Sequence, residues 1–224
     1  GSRMFSRLPA ATKALLIANV VVFVLQRLGE SPVFDAFALW PIVPDSVLSA
    51  GGHAFMPWQL LSYSFLHGDL GHLFFNMLAL VMFGAQLEHL WGDRRYLIYF
   101  LVCVRGAGLC QLALASWSVS QGGPNYSTLG ASGGVFGLLL GYGLMFPNQR
   151  VVLLFPPIPM KARTLAIVCG VIALLLGFTG LQPGVAHFAH LGGMLFGWLL
   201  IRHWRRPPQG PSSGRRSSHL RVVK

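Results

Sequence analysis

Residues 130–143 read GASGGVFGLLLGYG. The stretch carries no charged side chain, and glycines recur at a spacing of four, Gly130 with Gly134 and Gly137 with Gly141. Small residues at that spacing let membrane helices pack closely, which is the plainer reading of the segment. Ser132 gives it a second one. A serine in the first turn of a helix sits among free backbone N–H groups at the positive end of the dipole, where a nucleophile and the oxyanion it creates both find donors. Gly130, Gly133 and Gly134 would let other backbone approach it.

The surrounding chain fits a membrane setting. Of 224 residues, 54% are hydrophobic and 10% charged, with a mean hydropathy of +0.59. Soluble domains carry about 25% charged residues, so the composition excludes an ordinary cytosolic domain and excludes disorder as the dominant state. A bilayer core takes about 20 apolar residues per helix. Six stretches qualify, roughly 11–28, 67–88, 95–117, 129–146, 163–180 and 186–203. The expected fold class is therefore all-α, a polytopic bundle of six transmembrane helices. Its expected parts are an N-terminal cytoplasmic segment over 1–10, the membrane domain over 11–204 and a tail over 205–224. Gly1 and Ser2 ahead of Met4 look like a tag-cleavage scar, and the first apolar run reads as a span, not a cleaved signal. The tail, rich in Pro, Ser and Arg, is expected to be disordered. The first connection, 29–66, holds Trp40, Pro41, Pro44, Pro57 and Trp58; it is too apolar for a solvated loop and is placed in the membrane interface. Cys103, Cys110 and Cys169 all fall in apolar stretches and read as small apolar residues.

The net charge is +11. Fifteen Lys and Arg residues fall on one side of these spans, Arg27 alone on the other, and Arg105 within a span. That asymmetry places both termini in the cytoplasm. The basic charge thus orients the chain and meets anionic lipid, and nucleic acid is not expected as a partner. In this orientation spans two, four and six all run from outside to inside. His72 and Asn76 lie near the start of the second, Ser132 near the start of the fourth, and His187 and His190 near the start of the sixth. Three separate stretches thus bring polar groups to one shallow depth, where each is costly unless paired or wet. His190 is a candidate base, and Gly193 and Gly197 after it form a face that can pack against the fourth helix. His72 and Asn76, four apart, share a helix face and can both donate to an oxyanion; the plainer reading is a polar pair that glues helices. A metal held by His187, His190, His72 and Asp69 is disfavoured, because no Cys or Glu sits at that depth, and no cofactor is expected.

HGDLGHLFFNMLAL (67–80), GAQLEHLWG (84–92), GASGGVFGLLLGYG (130–143) and AHFAHLGGMLFG (186–197) resemble the rhomboid intramembrane serine proteases in order, spacing and placement on three alternate spans. The resemblance covers about residues 10–204. It implies a six-helix bundle with a wet cavity open to the exterior, and a dyad of Ser132 as nucleophile and His190 as general base. It implies oxyanion donors at His72, Asn76 and the Ser132 backbone N–H, and structural roles for Gly130, Gly133, Gly193, Gly197 and, near the cytoplasmic turn, Glu88. Substrates would be transmembrane proteins entering beside the second and fifth helices, and the compact form suggests a bacterial inner membrane. Departures are Phe136, where the family often has a tyrosine stacked on the base, and Trp58-Gln59, where Trp-Arg is common. Arg105 would snorkel or pair with Glu88. The competing readings are an inactive relative that binds client helices, and a small transporter or channel with its histidines as a proton path.

Overall fold

The computed structural model describes residues 6–29, 31–152, 157–179 and 186–205. Gly1 and Ser2, read above as a tag scar, and nearly all of the segment read as a disordered tail lie outside these residues. Six long helices occur among the described residues: α1 (Ala10–Leu28), α2 (Leu70–Trp91), α3 (Asp93–Ser120), α4 (Ser132–Met145), α5 (Ala162–Thr179) and α6 (His187–Trp204). Helices α1, α2 and α3 are each long and apolar enough to cross a membrane, and α4 and most of α5 form shorter apolar helices. Large apolar side chains point outward all around, among them Leu28, Phe74, Phe75, Trp117 and Phe178. A surface of that kind belongs in lipid.

Local chemistry sets the helix ends. Pro9 precedes α1 and caps nothing with its side chain. Glu88, near the end of α2, supplies the cap. One carboxylate oxygen accepts from Ala11 N at 2.8 Å, and the other accepts from Thr12 N at 2.7 Å and Thr12 Oγ1 at 2.9 Å. A buried carboxylate thus meets the orphan N–H groups and positive dipole of another helix. Glu88 therefore does not pair with Arg105, which lies exposed on α3. Helix α2 begins three residues later than the apolar pattern suggests, because Asp69 is its N-cap and accepts from His72 N at 2.7 Å. A π-helical segment, Leu80–Gly84, interrupts α2. Gly92, at φ +82°, turns the chain into α3.

Helix α3 is the centre of the core, with Tyr96, Tyr99, Phe100, Cys103 and Val104 all fully buried. Helices α4 and α6 pack on it and on each other through small residues. A Cβ on Gly193 would run into the Gly133 carbonyl oxygen, and one on Gly137 would lie 3.2 Å from the Gly193 carbonyl oxygen. The expected α4–α6 contact is thus made by Gly133, Gly137 and Gly193. Gly133 and Gly137 also lie against α3, at Ala107 and Cys103, as do Gly134 at Phe100 and Val104 and Gly197 at Tyr99 and Cys103.

Two features depart from a purely helical reading. Strands β1 (Arg150–Val152) and β2 (Pro159–Lys161) pair antiparallel between α4 and α5, with Val151 opposite Met160. Three-residue strands are too short for alternation to show in sequence. The first connection folds into short helical pieces over Ser31–Asp35, Asp45–Ser49, Gln59–Ser62 and Tyr63–Phe65. Gln59 anchors it. The buried amide accepts from Trp40 N at 3.1 Å and Met56 N at 3.2 Å and donates to Ala36 O at 3.1 Å. The glutamine at the departure after Trp58 therefore does its own anchoring.

Candidate active site

Ser132 is the first residue of α4 and His190 the fourth of α6. Their approach follows from the glycine contacts below them, which set α4 and α6 close enough for side chains at the helix starts to meet. His190 Nε2 lies 3.0 Å from Ser132 Oγ. One turn into α4, Phe136 stacks on the His190 ring with centroids 4.2 Å apart and planes 7° apart. The stack holds the imidazole plane, and the serine hydroxyl meets its edge.

The other two polar candidates face the turn that precedes Ser132. Gly130 adopts φ +116°, a conformation glycine tolerates best. A Cβ there would lie 2.6 Å from His72 Cε1, 2.8 Å from His72 Nε2 and 3.8 Å from Asn76 Nδ2. Gly130 is thus the point at which the α4 turn and the His72–Asn76 face of α2 converge. Asn76 is buried, and its Nδ2 has no hydrogen-bond partner among the described residues. A buried amide donor left without a partner is costly. His72, Gly130, Ser132, Gly133 and His190 line one cavity of about 440 Å³, together with Tyr63 and Thr128. Glu88 lies at the other end of α2, capping α1, and touches none of these groups.

A family model described as the rhomboid domain matches residues 54–206. The chain belongs to the rhomboid family. As a rhomboid it is an integral membrane protein. It is 33% identical over 186 residues to RHOMBOID-like protein 2 of Arabidopsis thaliana, an alignment covering 80% of this chain and 52% of the relative. It is 28% identical over 196 residues to Rhomboid protein 1, mitochondrial, of Saccharomyces cerevisiae, covering 84% and 53%. Against Rhomboid protease GluP of Bacillus subtilis it is 25% identical over 217 residues, covering 96% and 39%. This rhomboid spans between a third and about half of the length of such curated relatives.

Several residues near the site carried no catalytic part in the sequence reading. Asp69 caps the first turn of α2, and an Asp directly ahead of an apolar run is a legible N-cap signal. Tyr63 lines the cavity, donates from its hydroxyl to Val104 O and accepts from Gly130 N at 2.9 Å through its carbonyl. His67 meets the turn at the Ala131 N–H, and Gln26 holds the His67 backbone, through long-range contacts that no local pattern announces.

Proposed function

We propose that this rhomboid is an intramembrane serine endopeptidase that cuts the transmembrane segment of other membrane proteins with a Ser132–His190 dyad. The observation that carries the reading is the 3.0 Å approach of His190 Nε2 to Ser132 Oγ with the imidazole stacked on Phe136. His190 takes the Ser132 proton as Oγ attacks the scissile carbonyl. His72, Asn76 and the Ser132 backbone N–H receive the oxyanion. His190 then protonates the departing amine, the C–N bond breaks, and an acyl-enzyme remains. Water, deprotonated by His190, hydrolyses that ester and returns the proton to Ser132. Every proton and electron pair in these steps is carried by the dyad, the substrate and water.

Depth supports the reading. From Ser132 to the end of α4, and from His190 to the end of α6, the rise is about 20 Å in each helix at about 1.5 Å per residue. A hydrocarbon core of about 30 Å then leaves both groups roughly 10 Å below the opposite face. The proposed domain is six membrane helices over 11–204, with 1–10 and 205–224 in the cytoplasm and the site open to the exterior, as the fifteen-to-one charge asymmetry favours. A bacterial inner membrane remains part of this reading, although the relatives themselves come from plants, mitochondria and a bacterium. The apolar groove of about 350 Å³ between α2 and α5, lined by Phe75, Met82, Leu165 and Cys169, supports sideways entry of a substrate helix.

The test is cleavage, in proteoliposomes, of a reporter with a helix-breaking transmembrane segment. Wild type is expected to cut, and Ser132→Ala and His190→Ala to be inactive. Cleavage that survives Ser132→Ala would remove the proposed site.

A further inference from the structure

His67 takes part in none of the steps above, yet it is 2% exposed and touches both halves of the proposed oxyanion site. Its Nε2 accepts from the Ala131 backbone N–H at 3.4 Å, in the residue before Ser132. Its ring meets the His72 ring edge-on, with centroids 5.0 Å apart. For Nε2 to accept, the ring proton must sit on Nδ1, so His67 stands there as a neutral spacer. The backbone of His67 is held in turn. Its N–H donates to Gln26 Oε1 at 3.0 Å, and its carbonyl accepts from Gln26 Nε2 at 3.2 Å. Arg27 adds a bond to Gly68 O at 3.1 Å. One side-chain amide gripping both the N–H and the C=O of one residue fixes the position and the rotation of that stretch of chain.

The geometry points to Gln26 and His67 as positioning residues for the Gly130–Ser132 turn. Gln26, at the outer end of α1, fixes the loop ahead of α2, and His67 sets the gap between that turn and His72. Because the Gly130 N–H is engaged by the Tyr63 carbonyl and the Ala131 N–H by His67, Ser132 keeps the one backbone donor of the Gly130–Ser132 turn that is left for the oxyanion. An oxyanion gains from its donors only when they lie at about 2.7–3.1 Å, and a misplacement of about 1 Å can cost about a hundredfold in rate. Helix α1, which contributes no group to the chemistry, thereby sets its geometry. This inference rests on the proposed roles of Ser132, His72 and Asn76.

The test is steady-state cleavage of the transmembrane reporter by the full chain in proteoliposomes. Gln26→Leu and His67→Phe are expected to lower kcat about tenfold or more, with KM held within about twofold, as for an interaction made only in the transition state. Gln26→Glu is expected to fall as well, because it sets a carboxylate oxygen against the His67 carbonyl. His67→Gln, whose amide oxygen can accept from Ala131 N–H, is expected to recover most of the loss. Full kcat in Gln26→Leu, a change in KM alone, or a folded His67→Gln no better than His67→Phe would overturn the inference. Should His67→Phe fail to fold, the part-exposed Gln26 pair decides. Ser132→Ala, run alongside, separates the two claims: if it still cuts, the reading of the site fails, whereas an inactive Ser132→Ala beside a fully active Gln26→Leu overturns the positioning role alone.

Discussion

His190 is held by an aromatic face, Phe136, which lies nearly parallel to it at 4.2 Å. Aromatic pairs contribute about 0.5–1.5 kcal/mol beyond their area, and about 1.4 kcal/mol is tenfold in rate. We expect Phe136→Ala to lower kcat about tenfold through misorientation of the base, and Phe136→Tyr to keep wild-type kcat; reporter kinetics on both variants check this. Residues that share a motif were legible at this scale. The glycines around Ser132 and below His190 announced close approach, and the two side chains do meet. Contacts fixed only by the closed fold were not legible. Nothing in sequence ties His67 to Ala131, 64 residues away, or Glu88 to Thr12, 76 residues away.

At the scale of elements, two contacts hold the frame of the site. A side chain at Gly193 would meet the Gly133 carbonyl oxygen, a backbone atom that cannot swing aside. Overpacking of this kind costs about 1–3 kcal/mol, so Gly193→Val should lower the thermal midpoint in detergent and abolish cleavage. An unchanged midpoint would show that α4 and α6 can separate freely. Glu88→Ala removes three hydrogen bonds from the start of α1. Bonds to a charged acceptor are worth about 1.5–3 kcal/mol each, and the variant should unfold at lower denaturant and exchange amide hydrogens faster over Ala11 and Thr12. Helix positions were readable because apolar length dominates them: the α1 and α4 spans match to within a few residues. The π segment of α2 and the β1–β2 pair were not readable, since each is too short to leave a period in the sequence.

The described residues present large apolar side chains outward, while His72, Ser132 and His190 line one cavity at the start of α4 and α6. A globular protein in water would expose neither Phe75 at 57% nor Phe178 at 75% with so many apolar neighbours. The proposed orientation, with both termini in the cytoplasm, rests on the charge asymmetry. We expect a fluorescent reporter that matures only in the cytoplasm to light when fused after the C-terminus in a bacterial host, and an exported phosphatase fused there to stay inactive; the reverse pattern would place the cavity on the inner side. Composition and apolar run length made this scale legible, because a backbone in hydrocarbon must satisfy its own polar groups and long apolar runs do so as helices. The central claim is narrower: the fold turns Ser132 into a nucleophile by means of His190. The most direct measurement is labelling of the membrane-embedded protein with a fluorophosphonate, with the adduct located by peptide mass mapping in wild type, Ser132→Ala and His190→Ala. The account predicts an adduct on Ser132 in wild type and none in either variant. Labelling of His190→Ala at the wild-type rate, or a wild type that takes no label at Ser132, would contradict it.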